Sequence, residues 1–436
     1  MAGYGAWHRL RDERHDVVLY EKNGWAGGHT TSWTFPPGFV FDEGPHVSFT
    51  KDERIQEIFS DAIDGAFEEV QYQLNNYWRG HWLIHPVQTN LHGLPADLVT
   101  KVITDFVDEQ SKPEGAIDNY EDWLVASYGR TFADEFPAAY TRKYHTTEPQ
   151  NMTTDWIGPR MYRPSLEEVL RGALAPGSPN VHYVTGFRYP TQGGFRAYLE
   201  KFIAAAPVEC GYEATRIDHA HRRISFSNGN EVEYDHLISS VALPDLLAMI
   251  TDVPRDVEDA VSRLACSTVV LVNVGVDRPD VSDVHISYFY DEDISFSRLC
   301  FPHLMSPNNA PEGTSSIQAE IYFSKKYRPL EASPESFVET AVQDLIRCGL
   351  LTDEDRLLYK GATMCDYANI IFDHERAKAL DTVHGFLEEL GIARCGRYGD
   401  WGYMWTDDSF KSGERAAEET LERAGAGSAP VVVGAD

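Results

Sequence analysis

The feature that most constrains this chain lies in its first residues. Ala2-Gly3-Tyr4-Gly5-Ala6 opens an amphipathic helical stretch that leads into the apolar run Val17-Val18-Leu19-Tyr20 and stops on Glu21. A helix followed by a short apolar strand that ends on an acid is the second half of a dinucleotide-binding βαβ unit. In the complete unit G-x-G-x-x-G follows a first strand, the main chain approaches a pyrophosphate, and an acidic residue about 20 positions on holds the ribose. Gly3 fits the third glycine and Glu21 the acid. No strand or earlier glycines stand ahead of Gly3, which reads as a start called late or a truncation. The expectation is therefore an α/β dinucleotide fold whose sheet lacks its first strand.

The 436 residues exceed what one hydrophobic core usually serves, so two or three structural units are expected. With 68 acidic and 38 basic residues the formal net charge is -30, which argues against nucleic-acid binding, since such proteins gain most of their affinity from a basic surface. Plain solubility accounts for the acidity equally well. The six cysteines, Cys210, Cys266, Cys300, Cys348, Cys365 and Cys395, show no metal-ligand spacing and read as thiols of a reducing cytoplasm, so no metal is expected. No run approaches the roughly 18 apolar residues of a membrane span, and no signal-peptide pattern is present, so a cytoplasmic location is expected.

Two glycine-rich segments carry the candidate chemistry. Directly behind the expected second strand come Gly27-Gly28-His29-Thr30-Thr31-Ser32 and Phe41-Asp42-Glu43-Gly44-Pro45-His46. Glycines let the main chain approach a charged or planar ligand. A glycine pair in a loop is more often only a turn, and it is the position after the acid that gives this one weight. Near the other end stands Cys395-Gly396-Arg397-Tyr398-Gly399-Asp400-Trp401-Gly402-Tyr403, then Thr406-Asp407-Asp408-Ser409-Phe410 opening a helix. Asp408 or Ser409 suits its N-cap, leaving free amides for a flavin carbonyl or a phosphate. Any helix needs a cap, but glycine-rich turns at both ends favour one discontinuous domain closing on one cofactor. Gly3, Glu21, Gly27, Gly28, His29, Gly44, Pro45, His46, Gly399, Asp400, Asp408 and Ser409 are the candidate cofactor residues.

Between these ends the pattern changes. Residues 95–175 carry helical periodicity, with Pro95-Ala96-Asp97 and Pro164-Ser165-Leu166-Glu167-Glu168 as start signals. Asn228-Gly229-Asn230 reads as a hairpin turn and His236 to Ser240 as a buried strand. The run Ser267 to Val274 suggests a second sheet, and Ala424 to Ser428 a frayed tail.

These paired patterns resemble the flavoprotein superfamily of amine oxidases and protoporphyrinogen oxidase, which implies FAD in a glutathione-reductase-like domain. Further segments are similar to the UDP-galactopyranose mutases within it, especially the eukaryotic type: Trp82-Leu83-Ile84-His85-Pro86-Val87-Gln88-Thr89-Asn90 with Leu94-Pro95, Asp155-Trp156-Ile157-Gly158-Pro159-Arg160, Phe187-Arg188-Tyr189-Pro190 with Gly193-Gly194, and Tyr288-Phe289-Tyr290-Asp291-Glu292-Asp293 with Phe296-Ser297-Arg298. The resemblance runs through nearly the whole chain in order. It implies a discontinuous FAD-binding domain (1–70, 186–265 and 355–436), a helical insertion (95–175) and an antiparallel β-sheet substrate domain (71–94 and 266–354).

The activity implied is a redox-neutral interconversion of a UDP-hexopyranose and its furanose at reduced FAD, whose N5 attacks the anomeric carbon and expels UDP. Arg160 and Arg298 match the two arginines that meet the leaving diphosphate, for which bidentate guanidinium contacts are well suited. His46 matches a histidine beside the flavin, Tyr288 and Tyr403 match diphosphate-contacting tyrosines, and Gln88 matches an active-site glutamine. Implied partners are a nucleotide sugar or other small substrate and a reductant such as NAD(P)H, with homo-oligomerisation left open. The sequence departs from the pattern at Pro45, which removes a backbone donor, at Met305 and Asn369 in place of two further tyrosines, and at His85, Thr141 and His145 around the sugar and uridine. An FAD-dependent oxidase of the same superfamily and an inactive, truncated homologue are the alternatives.

Overall fold

The computed structural model describes all residues except 14, 114, 178–183, 426–430 and 436. Five short strands, β1 (Val18–Glu21), β2 (Val208–Cys210), β3 (His236–Ser239), β4 (Ile392–Arg394) and β5 (Val431–Ala435), form one sheet in the order β4-β3-β5-β1-β2. Every neighbouring pair is parallel. The expected sheet without a first strand is thus corrected: its centre is filled by the last strand of the sequence. The run Val431-Val432-Val433 is β-branched throughout, a composition that favours a strand. The tail expected to fray from Ala424 is helical to Gly425, and the rest of that stretch lies outside the described residues.

Helix α1 (Ala2–Leu10) packs against the long helix α2 (Thr406–Gly425). Two glycines set how closely they cross. A Cβ on Gly5 would lie 2.0 Å from the carbonyl oxygen of Phe410, and one on Gly413 would lie 2.0 Å from that of Ala2. Neither backbone can yield without moving its helix. Gly413→Val is expected to destabilise the protein by about 1–3 kcal/mol or more, read as a lowered thermal midpoint. An unchanged midpoint would mean that the two helices do not meet there.

The second sheet has seven strands in the order Leu357–Cys365, Ser267–Val276, Ser315–Ser324, Arg298–Cys300, Ile286–Phe289, Leu74–Trp78 and His81–Ile84. It is antiparallel except at one seam, where Ile286–Phe289 runs parallel to Leu74–Trp78, a correction to the wholly antiparallel sheet expected. Parallel neighbours need a long crossover, and between Trp78 and Ile286 the chain makes one through the helical segment and then through β2 and β3 of the first sheet. The strand Leu357–Cys365, lying beyond the expected boundary at 355, pairs along Ser267–Val276 as an edge of this sheet.

The helical segment forms where expected, with Ala96–Gln110, Tyr120–Tyr128, Arg130–Ala133, Ala139–Tyr144 and Leu166–Leu174. Ser165 and Glu168 form a capping box on the last of these. Between Ala133 and Ala139 the helix widens into a π turn around Pro137, which lacks the N–H that an α-helical ladder needs. Strands Arg223–Phe226 and Glu231–Glu233 pair across the Asn228-Gly229-Asn230 hairpin.

Candidate active site

Two neighbouring cavities share the wall formed by Trp405. The first, a cleft of about 950 Å³, lies at the carboxyl edge of the parallel sheet, where open α/β sheets bind ligands. The start of α1 (Met1 to Tyr4), Gly27-Gly28-His29, Pro45-His46, Arg397 and Ser409 line it. Gly27 and Gly28 hold φ of 133° and 54°, which side-chain-bearing residues rarely adopt.

Two buried oxygens at this edge lack partners. Glu21 accepts a hydrogen bond from the Asn23 amide through Oε1 at 2.8 Å, while its Oε2 has none and the residue is fully buried. Burial holds its carboxyl above the ordinary range. The Tyr4 hydroxyl is likewise buried without a partner. Buried polar groups are normally satisfied, so these oxygens fit a ribose and a phosphate, and together with the glycine cleft and the helix N-terminus they fit FAD.

His46 stacks on Phe195 at 5.3 Å between ring centroids and donates through Nδ1 to the Gly44 carbonyl at 2.8 Å. That bond leaves Nε2 for a ligand. Burial lowers its pKa to about 4, so the ring is neutral at pH 7. His29 pairs through Nδ1 with Glu43 at 2.7 Å, and the Cys365 thiol donates to the same carboxylate at 3.3 Å. Burial pushes that thiol far up, so the triad is a hydrogen-bonded cluster around a carboxylate.

The other expected cofactor residues are placed differently. Gly44 turns the chain with φ of 85° and hands its carbonyl to His46. Gly399 packs on β3, where a Cβ would lie 3.2 Å from the Ser239 carbonyl oxygen. Asp400 binds Arg415 at 2.8 Å and so ties β4 to α2 rather than facing the cleft. Helix α2 begins at Thr406, which puts Asp408 in its first turn, where it accepts from the Trp405 amide at 3.1 Å. Ser409, beyond the cap position, lines the cleft.

The second cavity is an aromatic chamber between the helical segment and the seven-stranded sheet. It gathers Gln88, Arg160, Tyr288, Arg298 and Tyr403, five residues from segments far apart in sequence. Arg160 rests over the Tyr403 ring at 4.1 Å and donates to the Trp156 carbonyl at 2.8 Å, while its buried Nε has no partner. Arg298 makes a two-pronged pair with Glu320, both contacts at 2.8 Å. Burial works against the charge of Arg298, but Glu320 holds it protonated. Tyr288 stacks on His85 at 5.0 Å, and Gln88 donates to the Tyr162 carbonyl at 3.3 Å.

Sequence reasoning missed several members of this site. Arg397 lines the cleft, binds Asn369 at 2.9 Å and lies 5.0 Å from the Tyr403 ring, so Tyr403 joins guanidinium groups of both cavities. Its signal was available inside the glycine-rich turn already singled out. Tyr140, Tyr144 and Tyr290 add further phenols to the chamber. Met305, expected in place of one, is buried in the core around α1, and Asn369, expected in place of another, orients Arg397.

Residues 6–359 match the model of the family described as flavin containing amine oxidoreductase. A reduced UDP-galactopyranose mutase superposes with a TM-score of 0.88 at 26% identity, over 97% of this chain and 94% of the other. A cyclohexylamine oxidase from Brevibacterium oxydans IH-35A superposes at TM-score 0.66 and 13% identity over 97% and 96%. A putrescine oxidase variant gives 0.62 and 14% over 97% and 97%. Among the described residues no helix is long and apolar enough to cross a membrane. With more than half of its length matched, this chain belongs to the flavin-containing amine oxidoreductase family.

Proposed function

We propose that the chain is a flavin-dependent nucleotide-sugar mutase that interconverts a UDP-hexopyranose of the galactose type and its furanose. One observation carries the reading: Arg160 and Arg298 share one chamber with Tyr288 and Tyr403, next to the cleft that fits FAD. A diphosphate leaving group needs fixed cations and hydroxyl donors, and an oxidase of neutral or cationic amines does not. The similar mutase supports the same reading.

In this scheme the glycines at 27 and 28, Tyr4 and Glu21 hold the cofactor. Reduced FAD supplies nucleophilic chemistry at the anomeric carbon, and NAD(P)H is the reductant that readies it. Arg160, through its unpaired Nε, takes the diphosphate. Tyr403 keeps that guanidinium in place, and Tyr288 packs beside Arg298. Neutral His46, with its proton on Nδ1, accepts a hydrogen bond at Nε2 on the flavin side. The aromatic walls exclude water, which strengthens each polar contact.

The test is conversion of UDP-galactofuranose to UDP-galactopyranose by the FAD-loaded protein, with and without dithionite, resolved by chromatography. Turnover only in the reduced state is expected. Arg160→Ala is expected to lower kcat/KM by about a hundredfold, near 2.7 kcal/mol. No conversion by reduced, flavin-replete protein would overturn the proposal.

The chamber's aromatic lining favours one second reading, an amine oxidase, since aromatic faces attract cations. That reading requires hydrogen peroxide to appear with an amine substrate.

A further inference from the structure

We infer that β5, last in sequence, is the first strand of the nucleotide fold in space, and that Gly434 at its carboxyl end forms the pyrophosphate cradle together with the start of α1. The inference rests on the flavin reading of the cleft and assigns a cofactor residue at the opposite end of the sequence from Gly3.

Strand order carries the argument. A dinucleotide-binding sheet is built in the order 3-2-1-4-5-6, with the fingerprint glycines directly after strand 1. Here β2 and β1 take slots 3 and 2, and β3 and β4 take slots 4 and 5. The slot left for strand 1 holds β5. Its register fixes where its end emerges: Ala435 is level with Glu21 of β1, and Gly434 with Ser239 of β3. The end of β5 therefore reaches the edge where Glu21 stands and where Ser240 and the first turn of α1 line the cleft.

A helix N-terminus alone is not a site. Here two further groups, the Tyr4 hydroxyl and Glu21 Oε2, are buried and unpartnered at the same edge.

The test compares three apoproteins by FAD titration, following flavin fluorescence: the parent, a chain ending at Gly425, and Gly434→Val. The parent is expected to bind. The shortened chain is expected to lose FAD affinity. Gly434→Val, which keeps the strand but crowds the cradle, is expected to bind about tenfold more weakly or worse, with the thermal midpoint of its apoprotein unchanged. Hydrogen exchange at 431–435 in the parent is expected to slow when FAD is added. Equal binding by the parent and Gly434→Val would overturn the inference and leave the flavin reading standing. A parent that binds no FAD would overturn both.

Discussion

Glu320→Leu is expected to cost about 3–5 kcal/mol of stability, the largest effect of any single replacement argued for this protein, and the double variant Arg298→Met/Glu320→Leu to recover most of it. Arg298 and Glu320 face each other across neighbouring antiparallel strands in the middle of the seven-stranded sheet. The Glu320 side chain is 1% exposed and accepts from the Tyr322 hydroxyl as well as from both prongs of Arg298. Removing the carboxylate alone leaves a guanidinium and a phenol uncompensated in a site with little water. Removing both charges lets apolar side chains fill the space, which is often neutral or better. Urea unfolding of the two single variants and the double variant would give the coupling as a double-mutant cycle. The double variant is expected to be stable yet without mutase turnover, separating the pair's structural role from its role at the diphosphate. A stable Glu320→Leu single variant would mean that Arg298 is solvated by the chamber and not held by Glu320.

Much of this site is visible in the sequence where a residue's chemistry and its local pattern agree. Gly27, Gly28 and His46 lie where the loop behind β1 suggests, because a positive φ and a ligand-facing turn are properties of a few consecutive residues. Arg160 and Arg298 meet in one chamber although nothing local dictates that. Only the ordered resemblance along the chain links them, since the meeting is made by sheet and insertion packing. The errors are of the same kind. Asp400 has the acid and the glycine neighbours of a cofactor residue, but Arg415, one strand-to-helix crossing away, takes it as an ion-pair partner. Met305 is apolar and sinks into the core. Strand β5 was missed because Val431-Val432-Val433 follows a run of small residues at the tail, and a strand of five residues gains meaning only from the two strands that flank it.

Acidification below about pH 6.5 is expected to unfold the protein progressively, and His145→Phe is expected to shift that acid limb to lower pH. His145 is 4% exposed, and its Nδ1 has no hydrogen-bond partner. Burial, with Arg397 nearby, lowers its pKa to about 3 from an ordinary 6.5. The folded state therefore refuses a proton that the unfolded chain accepts. Its contribution is fully present above pH 6.5 and falls by about 1.4 kcal/mol for each pH unit below that, until the folded pKa is reached. His46, His303 and His384, lowered by burial to about 4, 4 and 3, act in the same direction. Asp42 opposes them: burial raises its pKa to about 6, so its folded form gains from a proton below that pH. Glu21, Asp291 and Asp400, whose carboxyls burial also raises, act with Asp42 and offset only part of the loss from four imidazoles. Glu414, lowered to about 2 by Arg54 and His8 against the effect of burial, adds its own loss only below pH 4.5. Thermal midpoints measured from pH 8 to pH 4.5 are thus expected to fall most steeply below pH 6.5. Phenylalanine suits the place of His145, whose ring lies 4.9 Å from Tyr144 and 5.2 Å from Trp156. An acid limb identical in parent and His145→Phe would show that this ring is protonated in the folded protein as readily as in the unfolded chain.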